Sequence, residues 1–415
     1  MSPIRGLFKH RRTMTLTVLL DLDDTLLGDV TDQFIPQYIH TLSNYFNFAP
    51  VNNVTKSLAE AIDAMTLNSS PGITLEGAFD RAFYPAIGVL KQDAASTVKR
   101  FYSEEYPKLI KYVTHQPQAV ELVDELVSLG YDIVIATNPL FPKTATEQRL
   151  FWAGLPVEKY PFKIVSTYEN FHFSKPNPAY YIELLAQLGW LEQPVVMIGN
   201  SLENDIKPCQ KIGIPAFWID DDNSAVNHSF QALDHGDITE SLKWIKKQAE
   251  IPYHPWHNLT VDINTLLTTP AAIQTITKNI SLSEWYKSIA PDEWPIAEII
   301  NHLLQSDLNV NFERIKQVVD EKNPFLNKMH SDETFSVSFN SPDPVFLMNA
   351  FLDVREKLIS LIKNIKPDEW NRSARHSIFG PTNLQELVDF AATHDRVHIR
   401  QIFQTIAANN LTSGI

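Results

Sequence analysis

One cysteine, Cys209, is all that 415 residues supply. No intrachain disulfide can form, and neither a cysteine zinc cage nor a CxxC redox pair can be built, so a reducing, cytoplasmic setting is expected. Positive charge is scarce as well: 35 Lys and Arg against 49 Asp and Glu leave a formal charge of −14. Binding a phosphate backbone depends on concentrated cations that release counterions, which excludes nucleic acid as the expected partner. Long apolar runs are also missing. The basic opening (Arg5, Lys9, His10, Arg11, Arg12) leads into an apolar stretch that Asp21, Asp23 and Asp24 interrupt at once. Such a pattern suits neither a signal peptide nor a membrane span. Met14 stands just before the first strand-like run, and residues 1–14 are expected to be a poorly ordered extension.

What is present is enough apolar material, 44% of the chain, to fill two cores, and the length exceeds what one core usually organises. Short β-branched runs recur at 15–20 (TLTVLL), 132–136 (DIVIA), 162–166 (FKIVS), 194–198 (PVVMI) and 214–219 (IPAFWI). Apolar runs without alternation read as strands buried on both faces. Helical stretches at 119–129 and 179–188 lie between them, with Gly130, Gly189 and Gly213 as helix stops. This α/β alternation over residues 15–250 predicts a parallel, Rossmann-like sheet. Residues of about 34–117 break the alternation and read as an inserted helical cap. After a Pro- and aromatic-containing linker at 251–262, the remainder, 263–415, shows no convincing buried strand. Four amphipathic helices at about 269–280, 295–320, 344–364 and 382–407 predict an all-α four-helix bundle.

Asp21-Leu22-Asp23-Asp24-Thr25 follows directly on the first strand. Both odd-numbered acids therefore project from the strand's carboxyl end, where open α/β sheets place their ligands. Taken alone, the string reads equally well as an acidic turn or helix cap. The remaining spacing decides between them. DLDDT resembles the first motif of the haloacid dehalogenase-like (HAD) superfamily, and three later segments follow in that superfamily's order across residues 15–235. Thr137-Asn138 closes the second strand, Lys175 sits in SKPNP at 174–178, and Gly199 to Asp205 (GNSLEND) stands where GDxxxxD is usual.

That resemblance implies a magnesium-dependent phosphatase acting on a small phosphorylated metabolite. Asp21 would be the nucleophile and Asp23 the general acid and base. Thr137 would hold the non-bridging oxygens, and Lys175 would offset their charge. Mg²⁺ would bind Asp21, the Asp23 carbonyl and an oxygen from the fourth motif. The chain departs from the family at Asn200, where the first motif acid is expected. An amide ligand brings no charge, so metal affinity should fall unless Asp205 or Glu203 compensates. Asp23 also argues against a dehalogenase, which the resemblance implies would lack it.

In the second half, His302 lies on the second bundle helix, and His394 and His398 lie one turn apart on the fourth. A lone histidine on such a face is usually a packed core residue. An i, i+4 pair with a third histidine from another helix points instead to a metal. The surrounding text, WPIAEIINHL at 294–303 and HDRVHIRQ at 394–401, resembles the DinB-like metalloprotein family over about 260–410. By that resemblance the three histidines would bind a divalent transition ion such as Zn²⁺ or Ni²⁺. Two functions follow. In the first, the HAD-like half is the phosphatase; in the second, it is a weakened ligand-binding domain and the bundle is a metal-dependent, thiol-using transferase. Tyr45, Phe46, Phe83 and Tyr84 could wall a pocket, but aromatic residues in a small helical cap are more often its core; Cys209 reads as a buried thiol.

Overall fold

The computed structural model describes residues 16–46, 50–220, 233–253, 257–291, 293–327 and 343–412; the expected extension at 1–14 and part of the linker, 254–256, lie outside them. Among the described residues eleven strands and fifteen α-helices can be followed in chain order. The strands are β1 (Thr17–Leu20), β2 (Leu27–Gly28), β3 (Thr114–His115), β4 (Asp132–Ile135), β5 (Ile164–Val165), β6 (Val195–Gly199), β7 (Ala216–Ile219), β8 (His235–Gly236), β9 (Phe325–Leu326), β10 (Ser373–His376) and β11 (Gly380–Asn383). The first nine helices are α1 (Ile35–Tyr45), α2 (Val51–Thr66), α3 (Leu75–Ala86), α4 (Lys91–Arg100), α5 (Pro117–Ser128), α6 (Lys143–Trp152), α7 (Pro178–Gln187), α8 (Lys207–Ile212) and α9 (Ile238–Gln248). The second half holds α10 (Leu259–Thr277), α11 (Leu282–Trp285), α12 (Ile296–Ser306), α13 (Phe312–Asp320), α14 (Pro344–Lys363) and α15 (Leu384–Thr412).

Six strands form one sheet in the order β5-β4-β1-β6-β7-β8, and every pairing is parallel. β1 lies in the middle because its four residues, TVLL, are buried on both faces. All five expected strands are present, and His235–Gly236 adds a sixth at the edge that its two residues could not announce. Gly130, Gly189 and Gly213 do end their helices in the left-handed region. Helices α1 to α4 make the cap. The β2/β3 ribbon ties the two chain crossings at its base, with Leu27 opposite His115.

The helical half differs from expectation in two places. Strands β9, β10 and β11 form a small sheet where helices alone were expected. They are two to four residues long, and β10 alternates exposed and buried, so no apolar run marks them. The first bundle helix also begins ten residues early, at Leu259, and Pro270 sits in its interior. Proline has no N–H, so the Leu266 carbonyl one turn earlier lacks its helical donor. Arg355 of α14 supplies one, Nη1 donating to Leu266 O at 2.7 Å. The second expected helix, 295–320, is continuous through α12, a π-turn at Asp307–Asn311 and α13.

The two halves share a core. Asn177 caps α7, its side chain accepting from Ala179 N, and Pro178 opens the helix. Every residue of α7 after Pro178 is buried, because the sheet covers one side and α10 runs along the other. Just beyond α7, Arg400 of α15 donates to the Trp190 carbonyl at 2.9 Å and pairs with Glu192 at 2.8 Å. Gly189 is required there: a Cβ would stand 2.9 Å from the Phe403 ring.

Candidate active site and metal centre

Strand β1 ends at Leu20, so Asp21 is the first residue past the sheet's carboxyl edge. Its carboxylate is buried and doubly engaged. Lys175 Nζ donates to Oδ1 at 2.7 Å, and Thr25 Oγ1 donates to Oδ2 at 3.0 Å. The turn that brings Thr25 back passes through Asp24 at φ 61°. That left-handed residue is tolerated because its own carboxylate accepts from Val30 N at 2.7 Å and Thr31 N at 2.9 Å.

Lys175 is buried between two acids, Asp21 and Asp205, the latter at 2.5 Å. Burial alone would lower its affinity for a proton, but the two carboxylates outweigh it and hold the ammonium charged. Asp205 in turn accepts from Ser201 N at 3.0 Å. Burial raises the Asp205 carboxyl, and Lys175 opposes that rise. Gly199 is needed for this approach, since a Cβ there would lie 2.3 Å from Asp205 Oδ2.

Asn200 reaches the same centre through Thr25: its N–H donates to Thr25 Oγ1 at 3.1 Å, and its Oδ1 lies 3.2 Å from that hydroxyl. Asp21 Oδ2 and Asn200 Oδ1 thus converge on one small space. Glu203 points elsewhere, pairing with Lys207 on the surface. Asp23 stands on the cap side. Thr137 Oγ1 donates to its Oδ2 at 3.4 Å, and Arg149 Nε lies 3.2 Å from its Oδ1. Burial pushes the Asp23 carboxyl up to about 6, with Arg149 pulling the other way.

The structure therefore brings Asp21, Asp23, Thr137, Lys175, Asn200 and Asp205 together from the segments that follow β1, β4, β5 and β6. It also adds two residues that sequence reasoning missed. Thr25 was visible as the last letter of DLDDT but had no role assigned. Arg149, wholly buried on α6 with its guanidinium 3.9 Å from the Phe141 ring, carries no motif that could have flagged it.

The second cluster lies some distance along the chain, in the bundle. His302 of α12 and His398 of α15 place Nε2 at 2.9 and 3.1 Å from Nε2 of His394. Ligand atoms of all three lie within 4.8 Å of one another. Three nitrogens at ~2.0–2.1 Å from a common ion stand roughly 3 Å apart, so the donor set and spacing fit a transition metal. Burial and neighbouring imidazoles lower His302 and His394 to about 4, leaving both rings neutral and their lone pairs available near pH 7. His398 Nδ1 faces Gln401 Oε1 at 3.1 Å, and Gln401 Nε2 reaches Glu293 at 3.5 Å. A proton on Nδ1 donated to that amide leaves Nε2 free to ligate. Behind His394, Arg355 holds Asp395 through both nitrogens, at 2.5 and 3.1 Å, and Asp307 of the π-turn at 2.5 Å. Gln401 and this ionic group were also not foreseen as site support.

A capped parallel sheet with acids and a lysine at its carboxyl edge, joined to a helical domain with a three-histidine cluster, defines a two-domain protein of hydrolase architecture. Residues 18–219 match the family model for haloacid dehalogenase-like hydrolases, and residues 265–402 match that of the DinB superfamily. The chain is a haloacid dehalogenase-like hydrolase domain fused to a DinB-superfamily domain. Among its relatives is OB0782 of Oceanobacillus iheyensis, provisionally named a metal-dependent hydrolase, 21% identical over 170 residues, which are 40% of this chain and 87% of that protein. Similar solved structures include YfiT of Bacillus subtilis, titled a probable metal-dependent hydrolase with an unusual four-helix bundle topology. It is 17% identical, with a TM-score of 0.33, covering 37% of this chain and 91% of that one. A HAD phosphatase from Thermococcus onnurineus is 17% identical, with a TM-score of 0.37, covering 58% of this chain and 100% of that one. No helix among the described residues is long and apolar enough to cross a membrane.

Proposed function

We propose that the first domain is a Mg²⁺-dependent phosphatase that hydrolyses a small phosphomonoester through an aspartyl-phosphate on Asp21. The observation that carries this reading is the Lys175 ammonium bridging Asp21 and Asp205 at the sheet edge, with Asp23 beside them. Asp21 Oδ attacks phosphorus, the bond from phosphorus to the ester oxygen breaks, and Asp23 gives its proton to that oxygen, releasing the alcohol. Water then attacks phosphorus and loses a proton to Asp23. The bond to Asp21 breaks, returning the carboxylate and inorganic phosphate. With a carboxyl raised to about 6, Asp23 is suited to both proton transfers near neutral pH. Lys175 and the Thr137 hydroxyl offset charge on the transferring group. Asp21, the Asp23 carbonyl and Asn200 Oδ1 would hold Mg²⁺, and Asp205 serves to position Lys175. The cation supplies neutralisation of the phosphate charge that otherwise repels a carboxylate.

Asn200 is the weak ligand of this set. Asn200→Asp is expected to lower the Mg²⁺ concentration needed for half-maximal hydrolysis of 4-nitrophenyl phosphate by about tenfold, on the order of one added charge's worth of binding. Absence of Mg²⁺-dependent turnover in both chains, across a broad panel of phosphate esters, would sink the phosphatase reading. The first domain would then be a ligand-binding partner to a bundle acting as a metal-dependent transferase, the reading that the neutral Asn200 favours.

For the bundle, we propose that His302, His394 and His398 bind one divalent transition ion such as Zn²⁺ or Ni²⁺. Equilibrium dialysis should show one tightly held ion per chain. It should weaken by at least about 100-fold in His394→Ala, which removes the nitrogen between the other two. Equal retention by native and variant chains would place the ion elsewhere.

A further inference from the structure

A cavity of about 190 Å³ lies between the cap and the sheet domain. Its walls come from α1 to α4 on one side and from Leu140, Phe141, Pro142 and Tyr168 on the other. Not one wall residue carries a charge, and the polar side-chain groups among them are the tyrosine hydroxyls of Tyr38, Tyr84, Tyr102 and Tyr168. Two of these satisfy each other, Tyr38 and Tyr102 meeting at 2.9 Å. Burial holds the Tyr38 phenol up at about 12, so it adds no negative charge. The cavity is therefore neutral, and the hydroxyls of Tyr84 and Tyr168 are the polar side-chain groups outside that pair.

Neither Asp21 nor Asp23 lines it, but its sheet-side wall leads toward them. Leu140 to Pro142 follow Thr137 and Asn138 within a few residues, and the Phe141 ring lies 3.9 Å from the guanidinium that pairs with Asp23. Of the four aromatics that sequence offered as either pocket wall or cap core, Phe46, Phe83 and Tyr84 line this space and Tyr45 does not.

Resting on the phosphatase reading above, we propose that the substrate is the phosphomonoester of an apolar alcohol or phenol of about one substituted aromatic ring, and that the cap cavity holds this organic group. An apolar cavity of about 150 Å³ binds a benzene molecule, so the volume here takes one ring with a short substituent. Sugar phosphates fit the chemistry poorly. Their hydroxyls would exchange water for aliphatic and aromatic walls, and a hydrophobic pocket discriminates against a single added hydroxyl by up to about 100-fold.

The test compares kcat/KM for benzyl phosphate and glucose 6-phosphate on the full chain with Mg²⁺. Both are esters of primary alcohols, so leaving-group basicity does not separate them. A preference of about 100-fold or more for benzyl phosphate is expected. Equal or reversed preference overturns the cavity assignment while leaving the phosphatase reading in place. A second arm needs no turnover: saturation-transfer NMR with benzyl alcohol on the native chain and on Val98→Trp and Ile39→Trp. These two fillings lie on different cap helices, and circular dichroism checks that each variant folds. Signal in the native chain that is lost in the folded fillings supports the assignment, and no native signal overturns it. Binding of benzyl alcohol without turnover of either ester would remove the phosphatase reading and retain an apolar-ligand site.

Discussion

Asp21→Asn is expected to lower Mg²⁺-dependent hydrolysis of an aryl phosphate by at least about 10⁴-fold, the scale on which loss of a covalent nucleophile is felt. Asparagine keeps the size of the side chain, its oxygen can still accept from Lys175 at the Oδ1 position and its NH2 can donate to the Thr25 hydroxyl, so the site's shape survives. The amide is a far poorer nucleophile than the carboxylate, and one charge is lost from the set that faces the cation. Lys175 retains Asp205 as a partner at 2.5 Å, so the ammonium is not stranded and thermal unfolding should move little. Two readouts check the role. Steady-state rates give the loss, and acid-quenched native protein should carry alkali-labile phosphate that the variant lacks. A variant within tenfold of the native rate, or one that still traps phosphate, would place the nucleophile elsewhere.

Arg355→Met should destabilise the chain by about 3–5 kcal/mol, the cost of leaving buried charges without their partner. The guanidinium is fully buried and serves three acceptors at once: Asp307, Asp395 and the Leu266 carbonyl that Pro270 leaves without a donor. Methionine matches the chain's stem but satisfies none of them. Denaturant unfolding measures the loss, and adding Asp307→Asn and Asp395→Asn to the same chain should recover much of it, because the stranded charges disappear. A single-variant cost below about 1 kcal/mol would show that water or relaxation meets the acids' needs. Asp395 neighbours His394, so the same substitution should loosen metal binding even in molecules that stay folded.

The sheet was legible because a strand buried on both faces leaves a continuous apolar run, and all five such runs became strands. The acids at the end of the first run were legible for the same reason: a strand's end fixes where the next side chains point. Short edge strands such as His235–Gly236 and the alternating Ser373–His376 leave no comparable mark, so they were missed. Pro270 lies inside the first bundle helix, where a distant arginine makes its interior position tolerable. Arg149 could not have been read at all: it acts on Asp23, far away in sequence, and neither spacing nor residue type distinguishes it from a surface neighbour on the same helix. Gln401 sits one helical turn beyond His398 on the histidine face, and only its reach to Glu293 depends on the fold.

Helix α7 begins three residues after Lys175 and has no side in contact with solvent, since the sheet covers one flank and α10 the other. In a lone domain that second flank would be an outer wall. Here it is an interior wall, which means that neither half is a portable module. A recombination event or a truncation between them would strip an apolar surface rather than cut a tether. The two sites are consequently made in a fixed one-to-one ratio, arrive together and are lost together.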